Sequence, residues 1–172
     1  HDKFIKKKEK EIIDMNKKNV CTRRSKNGYG FAYFAKRDFK KGELVMSGIG
    51  KIIDHQTSHC SVQIGHDRHY LPTKWTGRYW NHSCGSNTYV KTRFDGFPDL
   101  IAFQNIKKDE EITYSYWMTE FMWTKGVDEL RIKCRCGSKN CVGRILSYSD
   151  LSLERKIDFK RRMLGSQYLL AL

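Results

Sequence analysis

Three cysteines lie within residues 134–141, where the sequence CRCGSKNC has the spacing C-x-C-x4-C. This spacing places three thiolates on one tight loop, and a closed tetrahedral zinc site needs a fourth ligand from elsewhere. The candidate for that ligand is Cys84, in the sequence NHSC at residues 81–84. A zinc ion bound there would hold two segments 50 residues apart against each other. The predicted metal ligands are Cys84, Cys134, Cys136 and Cys141.

The cysteines have two other readings, which are a disulfide framework and unliganded core residues. The lysine-rich N-terminus contains no apolar signal segment, so secretion is not expected and reduced thiols are favoured. Cys21 and Cys60 have no close cysteine partner and are predicted to be ordinary strand residues. Four histidines flank a predicted hairpin and are interpreted as surface residues rather than a second metal site: His55, His59, His66 and His69.

Length and composition indicate one folded domain. The 172 residues are 39% hydrophobic and include nine tyrosines, nine phenylalanines and four tryptophans, which is enough for a substantial core. No segment approaches the roughly 20 consecutive apolar residues of a membrane helix, so no membrane partner is expected.

The positive charge lies at the two ends of the chain. Residues 1–26 contain ten Lys or Arg and four Asp or Glu, and residues 131–172 contain ten and three, so the ends carry +6 and +7 of the formal +14. Residues 27–130 contain 13 basic and 12 acidic residues. The flanks are candidates for contact with a polyanion, with solubility as the alternative role of their lysines.

The central part has the pattern of short strands. Strands predicted at 20–25 and 31–37 enclose Asn27-Gly28, which is a hairpin signal. Further strands are predicted at 43–46, 51–54, 61–64, 69–71, 89–94, 100–105 and 110–116, with a turn at 95–99. The predicted fold class is therefore mainly β, with helices at the ends.

The two ends of the chain carry helix signals. Residues 3–16 have helix-forming composition, although their alternating charges also fit a solvated, partly frayed arm. Near the C-terminus Ser152 is a predicted helix cap, and Gly165 is placed to end that helix. Leu153, Ile157 and Leu164 share one face of it at helical spacing.

Four motifs together resemble the SET-domain protein lysine methyltransferases. In the family's order they are Gly28-Tyr29-Gly30, RYWNHSC at 78–84 with Asn87 beyond it, EITYSY at 111–116, and the cysteine loop. The resemblance implies a SET-domain fold of small twisted sheets with a pseudoknot-like core, a post-SET zinc loop and a C-terminal helix. It implies a basic N-terminal extension at 1–19, a SET core at 20–117, a post-SET zinc-binding segment at 118–147 and a C-terminal helix at 148–172.

The resemblance also implies two cofactors, S-adenosylmethionine and zinc. The backbone of the Gly28-Tyr29-Gly30 turn would approach the methionine end of S-adenosylmethionine, where a side chain at either glycine would obstruct contact. Asn81 would contact the amino group of the cofactor, and His82 would contact the adenine largely through its backbone. The implied cofactor-binding residues are Gly28, Tyr29, Gly30, Arg78, Asn81 and His82.

Two tyrosines match positions of catalytic importance in the family. Tyr116 matches the catalytic tyrosine, whose phenol lies beside the transferring methyl group. Tyr114 matches a position that is Phe or Tyr, where a hydroxyl limits the number of methyl groups added, so low methylation states are expected. Ser115 departs from the family pattern, which commonly has an acidic residue between the tyrosines. On a strand it would face away from them, so the departure concerns local bracing more than catalysis.

The implied activity is transfer of a methyl group from S-adenosylmethionine to a protein lysine, with a histone tail as the expected substrate. The lysine arrives charged, with a pKa of about 10.4, and must lose a proton before its lone pair attacks the methyl carbon. The site must then hold amine, methyl and sulfur collinear in a water-poor channel. Nucleosomal DNA is a candidate partner of the basic flanks.

The alternative is a catalytically inactive SET-fold module that binds chromatin or nucleic acid. Tyr116, Asn81 and His82 favour the enzyme, because a binding module has no need of them. A zinc-ribbon nucleic-acid binder would need a second ligand pair. The expected location is the nucleus or chromosome in a eukaryote, and otherwise the cytoplasm or, for a host-directed effector, the host. These 172 residues include no cysteine-rich segment before the core such as some relatives have, so the substrate choice of that branch is not expected to transfer.

Overall fold

The computed structural model describes residues 2–123 and 132–172. Residues 124–131 of the predicted post-SET segment lie outside this range. The described helices are α1 (Asp2–Asn19), α2 (Leu153–Arg162) and α3 (Gln167–Leu170), with 3₁₀ turns at Tyr116–Met118 and Tyr148–Asp150. The described strands are β1 (Val20–Arg24), β2 (Phe31–Ala35), β3 (Leu44–Ser47), β4 (Gly50–Ile53), β5 (Val62–Gly65), β6 (Arg68–Pro72), β7 (Asn81–His82), β8 (Thr88–Thr92), β9 (Pro98–Ala102) and β10 (Thr113–Tyr114). The predicted mainly β class is confirmed.

The described strands form four small sheets. β1 and β2 pair as an antiparallel hairpin, and the orders β3-β9-β8 and β4-β6-β5 form two three-stranded antiparallel sheets. The fourth sheet is the parallel pair β7 and β10. Each strand predicted before residue 106 is present within a few residues of its expected bounds, because alternating β-branched and aromatic residues between turn signals define it locally.

The core lies between these sheets. The strands β2, β3, β6 and β9 contribute five of its large, fully buried side chains, which are Tyr33, Phe34, Met46, Tyr70 and Leu100. Four small sheets can share one core because each buries one face against the others. No described helix is both long and apolar enough to cross a membrane.

Helix α1 is ordered throughout the predicted region, but only its second half packs on the sheets. Ile12 and Asn16 are buried. The Asn16 amide nitrogen donates to the carbonyls of Ser47 and Trp75 at 2.8 and 2.7 Å, and its Oδ1 accepts from the Ser47 N–H at 3.0 Å. In the first half Phe4 is 75% exposed. The helix is therefore anchored at one end and projects its lysine-rich half into solvent.

The predicted start of α2 at Ser152 is confirmed, but its predicted end at Gly165 is not. Ser152 is the N-cap, as predicted, and its Oγ accepts from the Arg155 N–H at 3.3 Å. The helix ends earlier than predicted, because Met163 adopts a left-handed φ of 54°. Gly165 serves a different purpose, since a Cβ there would collide with the ring of Phe159. Its missing side chain permits close packing rather than a helix cap.

The apolar face that Leu153, Ile157 and Leu164 share on α2 is only partly in contact with the core. Leu153 and Ile157 are 74% and 58% exposed, whereas Phe159 is buried. Phe159 attaches this short helix to the core, and Leu164, just beyond the helix end, also packs against it. Leu153 and Ile157 face outward.

The predicted strand at 110–116 is shorter than expected. β10 ends at Tyr114, and the chain turns at Ser115, where the Met118 N–H donates to the Ser115 carbonyl at 2.9 Å. Ser115 is buried, and its Oγ donates to the Ser83 carbonyl at 2.8 Å. A hydroxyl therefore braces the position at which the resemblance led us to expect an acidic residue. Tyr116 lies on the 3₁₀ turn instead of the strand.

Candidate active site

The parallel pairing of β7 with β10 brings two distant motifs side by side. Asn81 pairs with Thr113, and His82 pairs with Tyr114. The side chain of Asn87 supports this arrangement, because its Oδ1 accepts from the Thr113 N–H at 3.0 Å. The NHSC motif and the tyrosine segment consequently share one site.

His82 joins the tyrosine segment to the cysteines. Its Nδ1 accepts from the backbone N–H of Tyr116 at 3.0 Å, and its Nε2 lies 3.5 Å from the Cys84 Sγ. Since Nδ1 accepts, the ring proton of the neutral imidazole is on Nε2, toward the sulfur. Burial lowers the pKa of His82 to about 3, which keeps the ring neutral. The side chain therefore has a positioning role that the sequence did not indicate.

All four predicted metal ligands converge. Their sulfur atoms lie within 4.8 Å of one another, and the Cys84 and Cys134 sulfurs are 3.7 Å apart. A tetrahedral zinc ion with bonds of about 2.3 Å places its sulfurs about 3.8 Å apart. All six cysteines are free thiols, so the disulfide reading is not supported. The number, chemistry and spacing of the four donors fit a structural zinc ion.

One thiol of this cluster is already acidic. Burial acts to raise the pKa of Cys136, but the N–H groups of Cys84 and Ser138 and the neighbouring thiols of Cys134 and Cys141 lower it to about 6. Zinc binds the thiolate form, so this thiol is prepared for coordination.

The cysteine loop packs on the turn between β1 and β2. The Asn27 amide donates to the Cys136 carbonyl at 3.2 Å, and the Tyr29 hydroxyl accepts from the Arg135 N–H. The Arg135 guanidinium also lies 5.4 Å from the centre of the Tyr29 ring. A metal ion that orders the loop would thereby also fix the position of this turn.

The glycines of the turn adopt conformations that favour glycine. Gly28 and Gly30 have φ angles of 75° and 85°. A Cβ built on either residue would meet no protein atom within 4 Å, so open space adjoins both.

Two clefts meet at Tyr116. The larger, of about 390 Å³, lies between the β1–β2 turn, β7 and the cysteine loop, and its lining includes Tyr29, Asn81, His82, Tyr116 and Arg135. The smaller, of about 260 Å³, is lined in part by Arg78, Trp80, Tyr114, Tyr116, Glu120 and Trp123. We refer to them as the large cleft and the small cleft.

The two tyrosines are held by different hydrogen bonds. The Tyr116 hydroxyl donates to the Trp80 carbonyl at 2.7 Å, and the Tyr114 hydroxyl lies 3.2 Å from the Thr119 Oγ1. Burial raises the pKa of both phenols, which therefore remain protonated near neutral pH. Their ring centres are 5.2 Å apart, so both side chains form one aromatic wall.

The predicted cofactor residues differ in which of the two clefts they line. Asn81 and Tyr29 line both clefts, and Gly30 and the exposed Arg78 line the small cleft. Gly28 lines neither of them. The Asn81 amide nitrogen donates to the Phe31 carbonyl at 3.0 Å, which orients the side chain.

The interpretation of the histidines needs two corrections. His69 is buried in β6 rather than exposed, because strand pairing turns its side chain inward. His59 is exposed as predicted, but it lines both clefts, which its position beside a hairpin did not indicate.

Glu120 is the acidic residue of the small cleft, and the sequence motifs did not identify it. Its side chain is buried, and its Oε2 accepts from the Gln63 N–H at 3.2 Å. Burial raises the pKa of this carboxyl to about 7, despite lowering contributions from the hydrogen bonds of Thr119 and Gln63. The available signal was a single charge within the aromatic-rich sequence YWMTEFMW at 116–123.

Comparison with known proteins identifies the family. The SET domain model matches residues 30–117, about half of the chain. Human histone-lysine N-methyltransferase 2D is 30% identical over 143 residues, covering 73% of this chain and 2% of its own length. Histone-lysine N-methyltransferase ASHH3 of Arabidopsis thaliana is 28% identical over 133 residues, covering 65% and 34%. The chain belongs to the SET domain family.

A crystal structure of a Plasmodium falciparum protein aligns with 56% of this chain and 92% of its own chain, with a TM-score of 0.47 and 24% identity. The two curated relatives are much longer proteins, and this chain spans only 2% and 34% of their lengths.

Proposed function

We propose that this chain is an S-adenosylmethionine-dependent protein lysine N-methyltransferase. The observation that carries the proposal is the position of Tyr116, which lines both clefts. A methyltransferase needs separate places for the methyl donor and the acceptor amine, and they must meet where the reaction occurs. The phenol at this junction is protonated and directed by the Trp80 carbonyl, which suits the positioning of a reacting amine.

The large cleft is the proposed cofactor site. Asn81 Oδ1 accepts no hydrogen bond from the described residues and is available to an amino group. Gly28 and Gly30 do not line this cleft, but open space adjoins both, so the turn can still approach the methionine end of the cofactor. Tyr29 and His82 line the large cleft beside Asn81. Arg78 stays a proposed cofactor residue, although it lines only the small cleft. When bound, S-adenosylmethionine supplies an electrophilic methyl group on a sulfonium.

Zinc is the proposed structural cofactor, held by Cys84, Cys134, Cys136 and Cys141. Its role would be to fix the loop that walls the large cleft, through the contacts of Asn27 and Tyr29. We assign the loop to a post-SET segment within 118–147 that follows a SET core at 20–117.

The proposed substrate is a lysine of a histone tail. The relatives named above are histone-lysine N-methyltransferases, and this supports a histone substrate and a location at chromatin. The Tyr114 hydroxyl reduces the space around the amine, so we further propose that one methyl group is the main product. Nucleosomal DNA is proposed as the partner of the exposed lysines of α1.

The test is methyl transfer from radiolabelled S-adenosylmethionine to free histones, nucleosomes and a whole-cell lysate, followed by mass spectrometry of the modified residue. Tyr116→Phe should reduce the rate by about 10²–10³-fold, the size of effect found when one positioned hydrogen-bonding group of an active site is removed. Tyr89→Phe is the matched control, because Tyr89 packs on Phe103 and lines neither cleft. Absence of lysine methylation in all three substrates, with cofactor bound, would refute the proposal in favour of an inactive SET-fold module.

A further inference from the structure

Glu120 is a buried acid without a cationic partner. No Lys, Arg or His side chain lies within ion-pairing distance of it among the residues that the structure describes. Burying a carboxylate without a counter-ion is costly, so such groups are usually paired or lost unless they have a task. We therefore expect Glu120 to have a functional role that offsets this cost.

The surroundings of Glu120 hold it in one position. Gln63 on β5 makes two contacts with this segment, because its N–H donates to the Glu120 Oε2 and its Oε1 accepts from the Phe121 N–H at 3.0 Å. The Tyr148 N–H donates to the Glu120 carbonyl at 2.8 Å. From α3, the Tyr168 hydroxyl donates to the Thr119 carbonyl. Gln63 thus holds the carboxyl, while Tyr148 and Tyr168 hold the backbone of its segment beside the small cleft.

The small cleft otherwise has an aromatic wall. Tyr114, Tyr116 and Trp123 line it together with Glu120. The Tyr116 and Trp123 ring centres are 6.4 Å apart. Aromatic rings attract a cation at their faces, and a carboxylate at the end of such a wall completes a site for an alkylammonium group. The apolar stem of a lysine matches the rings, and its charged head matches the acid.

We propose that the Glu120 carboxylate is the counter-ion that binds the ammonium group of the substrate lysine in the small cleft. This inference rests on the proposed function, because it takes the small cleft to be the lysine site. The Glu120 carboxylate would favour binding of a charged lysine over an uncharged side chain of similar length. It would also place the lysine nitrogen beside the Tyr116 phenol. The attraction also compensates for moving the ammonium group out of water.

A purely structural role for Glu120 makes a different prediction. In that case its task would be to accept the Gln63 N–H and hold the turn at 119–121. Glu120→Gln separates the two roles, because the amide oxygen still accepts from Gln63 while the negative charge is removed. Glu154→Gln is the matched control, since Glu154 is exposed on α2 and does not line the small cleft.

The experiment measures ligand binding without methyl transfer. The full chain with zinc and S-adenosylhomocysteine is titrated at pH 8 with Nα-acetyl-lysine amide and with Nα-acetyl-norleucine amide, which lacks the ammonium group. NMR signals of the tryptophan indoles report binding. We expect the wild type and Glu154→Gln to bind the lysine ligand at least about tenfold more tightly than the norleucine ligand. Glu120→Gln should show no preference.

If Glu120→Gln does not fold, a protein with Glu120 intact is titrated with both ligands at pH 8 and pH 5.5. The groups that face Glu120 are the phenols of Tyr70, Tyr114, Tyr116 and Tyr168, which stay protonated across this range. His59 lines the same cleft, so the comparison is made in a His59→Gln background. The preference for the lysine ligand should disappear at pH 5.5, where the carboxyl is neutral.

A lysine preference retained by Glu120→Gln, or no preference in the wild type, overturns the inference. Because no methyl group is transferred in these titrations, the result is independent of the histone assay. Loss of preference in Glu120→Gln together with inactivity on histones would keep the lysine site and reject the proposed substrate. Histone methylation with an unaltered preference would reject the role of Glu120 alone.

Discussion

The backbone N–H of Tyr116 donates to Nδ1 of His82 at 3.0 Å. This bond fixes the start of the 3₁₀ turn that carries the phenol to the junction of the two clefts. The other ring nitrogen of His82 lies 3.5 Å from the sulfur of Cys84. A single imidazole therefore connects the proposed catalytic tyrosine with the proposed metal site, and such outer contacts commonly orient metal ligands.

Two substitutions of His82 should distinguish its contact with the Tyr116 N–H from its contact with the Cys84 sulfur. His82→Ala leaves the Tyr116 N–H without its partner, and we expect a loss of about 1–3 kcal/mol in the free energy of unfolding. His82→Asn should recover part of it, because an amide oxygen can approach the position of Nδ1 but not reach Cys84. Denaturant unfolding of the zinc-loaded proteins measures both. Equal stability of His82→Ala and the wild type would show that the bond contributes nothing.

Removal of the metal should weaken cofactor binding as well as stability. The cysteine loop contacts Asn27 and Tyr29, and Tyr29 and Arg135 line the large cleft. Chelation should therefore lower both the affinity for S-adenosylhomocysteine and the midpoint of unfolding. Elemental analysis of protein prepared without chelator should find one zinc per chain. Cys60→Ser is the control, because Cys60 lies outside the four-cysteine cluster and should leave the zinc content unchanged.

The hydroxyl of Tyr114 should determine the number of methyl groups transferred. It lies 3.2 Å from the Thr119 Oγ1 at the wall of the small cleft. Tyr114→Phe removes this hydroxyl and enlarges the space next to the amine, so products should shift from one methyl group toward two or three. Mass spectrometry of a methylated histone peptide distinguishes the products. Mainly trimethyl-lysine from the wild type would contradict the assignment.

The raised pKa of Glu120 predicts a pH-dependent cost in stability. The folded pKa is about 7 and the ordinary value is 4.5, so the folded state retains a proton that the unfolded state loses between these values. The contribution of this group to stability is therefore fully present below pH 4.5 and is lost as the pH rises through 7. The loss is about 3 kcal/mol at 1.36 kcal/mol per unit, as an order of magnitude.

Glu120→Gln has no ionisable group at this position, so its free energy of unfolding should not show this decrease as the pH rises. The difference in unfolding free energy between the variant and the wild type should grow in favour of the variant from pH 4.5 to 8. Using the difference removes effects common to both proteins, such as zinc release in acid. A difference that does not change with pH would mean that the carboxyl titrates in the folded protein as it does in the unfolded chain.

The sequence predicted those parts of the site that depend on local spacing. The four cysteines come from short motifs, and the structure brings their sulfurs together as predicted. Asn81, His82 and the two tyrosines lie beside them, and the roles that the family resemblance implies for these four residues stay predictions. The β1–β2 hairpin was also predictable, because the loop at 25–30 places Gly28 and Gly30 at positive φ angles that favour glycine.

Glu120 could not be predicted because its environment comes from contacts distant in sequence. Its Oε2 accepts from the N–H of Gln63, 57 residues away, and its position follows the 3₁₀ turn at Tyr116–Met118, which begins where a strand was predicted. The sequence also did not indicate which face of α2 is buried, for a related reason. Periodicity identifies a helix, but the surface it packs against decides which of two apolar faces is buried.

The last prediction concerns the basic helix α1 and its proposed DNA contact. Deleting residues 1–18 would not test the contact cleanly, because Ile12 and Asn16 are buried and Asn16 makes three hydrogen bonds with the domain. Substituting the exposed lysines of the first half leaves this anchor intact. The triple change to glutamine at Lys3, Lys6 and Lys7 removes three positive charges from the solvent-exposed end.

The matched control makes the same charge change elsewhere, at the exposed residues Lys40, Lys41 and Lys107. If the helix contacts DNA, the α1 variant should methylate nucleosomes more slowly while its activity on a histone peptide is unchanged. The salt dependence of nucleosome binding should also become less steep, by up to about one unit of slope for each phosphate that the variant no longer neutralises. Equal nucleosome activity of the two triple variants and the wild type at physiological salt would show that these lysines serve solubility alone.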